Sequence, residues 1–226
     1  VSRPALFCLH GWGFDARFFD ALASALPEYA LQRGDFGFFD AEPCQTPKGP
    51  KPFLLVGHSL GFLALLGAEG AERAAGLVSL GGFPRFVDGE SFPLGVPSAL
   101  LTRMRRRFQR DPAATLREFY TLCDAPKDCV FPEFDLVNAA RLTAGLESLA
   151  SLDQRARLAS LLDQGVPVLA LSADDDRVTP AALQRAAFAD ARISRASCRQ
   201  GGHLFPLTQT AWVADALRGV LERARV

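Results

Sequence analysis

The pentapeptide Gly57-His58-Ser59-Leu60-Gly61 constrains this chain more than any other stretch, because of what flanks it. Before it runs Phe53-Leu54-Leu55-Val56, an apolar segment with the length of a buried strand. After it runs Phe62-Leu63-Ala64-Leu65-Leu66-Gly67-Ala68, apolar on every side, which reads as a buried helix. A serine between glycines at a switch from strand to helix has to occupy a sharp, strained turn. Neighbours without a β-carbon let the two elements close around it. In this context G-x-S-x-G reads as a nucleophile elbow; without the strand and helix, the same letters would mark an ordinary tight turn.

The rest of the chain is long enough to build a sheet around that turn. Its 226 residues suffice for one domain with a sizeable core and an insertion. With 49% hydrophobic residues and a formal net charge of zero, it reads as a globular protein. That composition argues against disorder and against a global nucleic-acid footprint. No apolar stretch reaches the roughly 18 residues needed to span a bilayer. No signal peptide is visible ahead of the first apolar run, and the expected location is the cytoplasm. Cys8, Cys44, Cys123, Cys129 and Cys198 are an odd number, widely scattered and without C-x-x-C, so they read as reduced thiols with no metal site.

Taken in order, Ala5-Leu6-Phe7-Cys8-Leu9 is a strand buried on both faces, ending at the His10-Gly11-Trp12-Gly13 loop. A helical period covers Phe18 to Leu26, and a weak strand is expected near Tyr29 to Gln32. Four prolines between Ala41 and Pro52 make an irregular connection. After the elbow, Gly76-Leu77-Val78-Ser79-Leu80 is another buried strand. From Phe83 to Gly165 the strand–helix alternation stops and helical patterns dominate. Ser98 is placed to cap a helix running to Arg110, and Asp111-Pro112 to start a second reaching Cys123. Two more cover Phe134 to Leu149 and Asp153 to Leu162. Strand signal returns at Val166 to Leu171 and at Arg192 to Ser197, with helices over Pro180 to Phe188 and Thr210 to Ala224. The architecture expected is α/β: a mostly parallel sheet with helices on both faces, built from 1–82 and 166–226, with 83–165 inserted as a helical lid.

Serine needs a base at neutral pH, and the base needs a third group to orient it. Of the three histidines, His10 reads as a tie within its loop and His58 belongs to the elbow, directed away from Ser59. His203, in a Gly-Gly-His loop before the last helix, remains as the base. The acid comes from Asp174-Asp175-Asp176 at the end of a late strand, Asp176 first and Asp175 next, with the others capping the helix near Pro180.

With these residues on the page, the chain resembles the α/β-hydrolases. The resemblance lies in His10-Gly11-Trp12-Gly13, Gly57-His58-Ser59-Leu60-Gly61, Asp176-Arg177-Val178-Thr179-Pro180 and Gly202-His203. Two further stretches, Asp111 to Leu122 and Leu142 to Arg155, are similar to D-x-x-x-T-L-x-x-F-x-x-L and L-x-x-G-L-E-x-L-x-x-x-D-x-R of the biotin-synthesis carboxylesterases. That resemblance implies a Ser59-His203-Asp176 triad and oxyanion donors at the Trp12 and Leu60 backbone N–H groups. It also implies an acyl pocket lined by Phe119, with the Trp12 side chain either binding substrate in its wall or packed in the core, and no cofactor or metal. The implied substrate is a methyl ester of an acyl chain on an acyl carrier protein. Phe62 stands where a second glycine commonly follows the motif, so its ring either lies against the sheet or narrows the pocket.

Arg103, Arg105, Arg106, Arg107 and Arg110 crowd one short helix, whose Leu100, Leu101, Met104 and Phe108 would face the sheet. Arg103, Arg106, Arg107 and Arg110, extended by Arg117, are either a solvated face or a docking face for an acidic partner such as the carrier protein. The same triad on the same fold also suits a lyase or acyltransferase. A binding protein without turnover would need none of the three triad residues.

Overall fold

The computed structural model describes residues 4–49, 52–126, 129 and 131–223. Pro50 and Lys51 of the proline-rich connection, and Ala224 at the end of the expected last helix, lie outside them. The strands are β1 (Ala5–Leu9), β2 (Leu31–Gly34), β3 (Phe53–His58), β4 (Gly76–Leu80), β5 (Val168–Ala173) and β6 (Ser194–Cys198). They form one sheet in the order β2-β1-β3-β4-β5-β6, with every neighbouring pair parallel. The helices are α1 (Asp20–Ala25), α2 (Leu60–Leu66), α3 (Ser98–Arg110), α4 (Pro112–Leu122), α5 (Ala139–Ser151), α6 (Arg155–Asp163), α7 (Ala181–Ala187), α8 (Phe205–Thr208) and α9 (Thr210–Arg223).

Alternate residues of each strand point to opposite faces, and in β1, β3, β4 and β5 both faces are mostly apolar, so both need cover. Leu6, Cys8, Val56 and Val78 look into one layer, closed by Leu22 of α1 and by Val213 and Leu217 of α9. Ala5, Phe7, Leu55 and Leu77 look into the other, closed by Leu65 and Leu66 of α2 and by Leu158 and Leu161 of α6. Phe62 belongs to this second layer, fully buried, with its ring 5.7 Å from that of Phe188. It lies against the sheet and does not line the pocket beside Ser59.

The segment between β4 and β5 holds α3 to α6, and packing splits it. Leu101, Phe108, Leu116, Leu142 and Leu146 of α3, α4 and α5 join the layer that contains Trp12. The α6 leucines instead join the opposite layer, where Arg157 also pairs with Glu72 at 2.8 Å. Thus α6 is a crossover helix feeding β5, and the helices above the carboxyl edge are α3 to α5.

Three local expectations need correction. The strand expected near Tyr29 to Gln32 begins at Leu31, because the Tyr29 N–H turns back to the Leu26 carbonyl at 3.1 Å. Ser98 does not cap α3: it is the first helical residue, and its N–H donates to Asp88 Oδ1 at 2.9 Å. Leu100 does not face the sheet but is 46% exposed, at the wall of an open pocket, while Leu101 and Phe108 are buried. By contrast, Asp111 caps α4 as expected, accepting from the Ala114 N–H at 2.8 Å, with Pro112 at the first position.

The tightest packing is at the elbow. A β-carbon on Gly61 would lie 2.1 Å from the Leu9 carbonyl oxygen and 2.6 Å from that of His10, both main-chain atoms that cannot swing aside. Gly61→Ala is therefore expected to lose about 3 kcal/mol or more of stability, or to fail to fold. Gly219→Ala, in the middle of α9 with only the end of the Arg223 side chain nearby, should gain up to about 1 kcal/mol. Denaturant unfolding of the two variants checks the contrast; a Gly61→Ala protein as stable as the parent would contradict the packing at the turn.

Candidate active site

The carboxyl ends of the parallel strands bring five loops together. In register, Leu9 of β1 pairs with Gly57 of β3, His58 with Leu80 of β4, and Ala173 of β5 with Cys198 of β6. The loops beyond these residues carry Gly11-Trp12, Ser59, Gly81-Gly82, Asp176 and His203. Clefts at this edge of an open parallel sheet are where such folds place their ligands.

Ser59 is the residue between β3 and α2, with φ +52° and ψ −120°. A non-glycine residue there is strained, of order 1–3 kcal/mol, and persists only because its surroundings hold it. Its N–H donates to the Leu80 carbonyl at 3.1 Å, and its side chain lines a pocket while being only 6% exposed. Leu60 follows as the first residue of α2, so its N–H points out of the helix end beside Ser59.

His203 is fully buried, in a single 3₁₀ turn (Gly202–Leu204) after β6. Its Nδ1 lies 2.8 Å from Asp176 Oδ2, and its Nε2 is buried with no hydrogen-bond partner among the described residues. A carboxylate only accepts, so Nδ1 is the donor in this contact. Asp176 is itself tightly held: Oδ1 accepts from the Val178 and Thr179 N–H groups at 2.7 and 2.9 Å, and Oδ2 accepts from the Thr179 hydroxyl at 2.6 Å. Burial raises its carboxyl pKa, but the His203 ring and these donors outweigh burial and bring it down to about 2. Asp175, the second choice, does not touch His203. It accepts from the Gly201 and Gly202 N–H groups at 3.1 and 2.9 Å, bracing the loop that carries the histidine.

Trp12 is both core and pocket wall. Its indole N–H donates to the Leu142 carbonyl of α5 at 2.8 Å, and its ring meets Phe108 and Phe119 edge-on at 5.7 and 5.1 Å. Phe119 lines the same pocket, as do Phe86, Val96, Leu101 and Leu149. The cavity has a volume of about 630 Å³, with Ser59 in its wall and Leu94, Leu100 and Leu122 exposed on its sides. Arg103 and Arg107 also line it, Arg107 paired with Glu118. Arg106 and Arg110 are exposed on α3, and Arg117 of α4 lies over the Phe134 ring at 4.7 Å. Arg105 pairs with Glu147 of α5 at 3.3 Å.

Several supports had no signal in the sequence. The Tyr120 hydroxyl donates to the Gly13 carbonyl at 2.6 Å, tying α4 to the loop of Trp12. Arg177, next to Asp176, chelates Asp124 at 2.6 and 3.1 Å and so ties the Asp176 loop to the end of α4. His10 joins two loops: its Nδ1 lies 2.9 Å from the Gly11 carbonyl oxygen of its own loop, and its Nε2 accepts from the Phe36 N–H of the loop after β2 at 3.2 Å. Burial raises the pKa of the Cys8 and Cys123 thiols, which keeps them protonated. Among the described residues no three His, Cys, Asp or Glu side chains are grouped to hold a metal ion, and no helix is long and apolar enough to cross a membrane.

Comparison with known proteins agrees with this arrangement. A bromoperoxidase from Bacillus anthracis superposes with a TM-score of 0.81 over 98% of this chain and 92% of that one, at 20% identity, a likeness of fold alone. The pimeloyl-[acyl-carrier protein] methyl ester esterase of Aromatoleum aromaticum is 30% identical, covering 86% of this chain and 90% of that protein. The biotin biosynthesis bifunctional protein BioHC of Cellvibrio japonicus is also 30% identical over 80% of this chain, which spans only 40% of its length. The model of the alpha/beta hydrolase family matches residues 6–216, from within β1 to within α9. With an all-parallel sheet and a strained serine at its carboxyl edge, this chain belongs to the alpha/beta hydrolase family.

Proposed function

We propose that the protein is a serine carboxylesterase acting through an acyl-enzyme, with Ser59 as nucleophile, His203 as base and Asp176 as its orienting acid. The observation that carries this reading is the buried His203–Asp176 pair, 2.8 Å long, with Nε2 unpaired among the described residues and the ring 4.7 Å from that of His58 in the elbow. Ser59 Oγ attacks the ester carbonyl while His203 Nε2 takes its proton. The oxyanion is held by the Trp12 and Leu60 N–H groups, a preorganised pair that does not reorganise as charge develops. The alcohol leaves with the proton from His203, and water activated by the same nitrogen then cleaves the acyl-enzyme. No cofactor enters the reaction.

The substrate we assign is a methyl ester of an acyl chain carried by an acyl carrier protein, in biotin synthesis, with methanol as the leaving alcohol. This rests on the activity for which the Aromatoleum relative is named and on an apolar pocket of a size for an acyl chain. Trp12 and Phe119 form its aromatic wall, and α3 to α5 serve as the lid. The exposed arginines Arg103, Arg106 and Arg110, with Arg107 and Arg117 beside them, supply a face for the acidic carrier. Among the described residues, Arg103 lines the pocket without an ion-pair partner, whereas Arg107 is held by Glu118.

Ser59→Ala should abolish ester cleavage, a loss on the order of 10⁵ or more, in a protein that still folds. Asp176→Asn should cost about 10⁴ in kcat by releasing the imidazole tautomer, and Asp175→Asn, which keeps an acceptor for one of the two glycine N–H groups and does not touch the imidazole, less than about tenfold. Steady-state rates on one methyl ester check all three; a reversal of the two aspartates would mean that Asp175 is the acid. For the carrier, Arg106→Glu/Arg110→Glu should lower kcat/KM strongly on a carrier-linked ester and leave a small free ester unaffected, with the loss steepest at low salt. Equal losses on both substrates would return these arginines to a solvated face.

A further inference from the structure

His58 is the one histidine near the site that the proposed chemistry leaves without a task. It ends β3, immediately before Ser59, and is fully buried. Its ring stacks on Phe18 at 4.3 Å, meets Phe14 edge-on at 5.9 Å, and lies 4.7 Å from the ring of His203. Its Nε2 is 3.0 Å from the His203 main-chain carbonyl oxygen, which only accepts, so Nε2 carries the proton. Its Nδ1 is buried without a partner among the described residues, and a β-carbon on Gly11 would come within 2.8 Å of it. A second proton on Nδ1 would find no acceptor there. Phe14 and Phe18 are uncharged, and the titratable groups around the ring are His203, Asp176 and His10. Burial, and then the neighbouring His203, push this imidazole well below its usual range.

One ring therefore touches both halves of the machinery on either side of Ser59: the main chain of the base and the Gly11-Trp12 turn. We propose that His58 is a positioning residue, whose neutral Nε2–H holds the His203 main chain in place while its ring backs the Gly11-Trp12 loop. The inference rests on the reading of Ser59 as nucleophile and His203 as base. Phenylalanine would keep the stack on Phe18 but leave the buried His203 carbonyl without a donor. Glutamine would keep a donor near the Nε2 position and lose the ring. The contact spans 145 residues of sequence, so it is a tertiary constraint on the base and not a feature of the turn itself.

The test compares His58→Phe and His58→Gln with the parent protein on one methyl ester, with thermal unfolding recorded alongside. His58→Phe should fold and lower kcat by about 10- to 100-fold, the scale of a misplaced catalytic group, with KM changed less than about twofold. His58→Gln should recover most of that kcat. Imidazole ¹⁵N spectra of the parent should show His58 as the neutral Nε2–H tautomer through the range where an ordinary histidine titrates. A folded His58→Phe protein with unchanged kcat overturns the inference, as does equal loss of kcat in both variants. A titrating His58, or one protonated at Nδ1, overturns it without any variant. If the parent protein neither cleaves esters nor reacts at Ser59 with an organophosphonate, the reading of the site fails and this inference with it.

Discussion

The structure depends on a main-chain approach at the elbow. Gly61 of α2 lies so close to the carbonyls of Leu9 and His10 that no side chain fits between them. On the other side of the turn, a β-carbon on Gly57 would meet the Phe62 main chain at 2.3 Å. Between these contacts Ser59 is held at a positive φ that it would not adopt alone. The strain is offset by what surrounds it, since β3 is flanked by β1 and β4 in the middle of the sheet and both of its faces are covered. An edge strand could not hold such a turn, because it has a partner on one side only.

The parallel topology then determines where chemistry can occur. Every strand ends at the same edge, so residues far apart in sequence emerge side by side. Helices α3 to α5 meet at Trp12, whose indole hydrogen bond and two aromatic contacts reach all three of them. Tyr120 and Arg177 add further ties from α4 to the Gly13 and Asp176 loops. Movement of these helices would therefore be felt at both the Trp12 loop and the Asp176 loop. The buried Asp176 carboxylate is stable only because each oxygen has a donor; an unpaired charge at that depth would be costly.

Much of this was legible in the sequence where the physics is local. Four of the six strands were located as continuous apolar runs, and the elbow by glycines at fixed offsets from a serine. Asp111-Pro112 was readable because a cap and the first helical residue are adjacent in the chain. Ser98 was misread because Asp88, ten residues upstream, takes its N–H, which no helix-start rule sees. Leu100 was misread because helical periodicity marks apolar positions without telling core from cavity, and α3 borders both. The crossover role of α6 was hidden for a similar reason: its leucines look the same whichever layer they fill. The bracing of the His203 loop by Asp175, and the contact from His58, depend on tertiary proximity and leave no trace in spacing.

The central claim is that Ser59 is a nucleophile activated in place by His203. The measurement that tests it most directly is covalent labelling by an organophosphonate ester, read as the mass of the intact protein and of its proteolytic peptides. The account predicts one adduct per chain, on Ser59, forming in step with loss of esterase activity and far more slowly in a folded His203→Ala protein. A protein that cleaves esters but carries no label on Ser59, or that labels equally fast without His203, would contradict it.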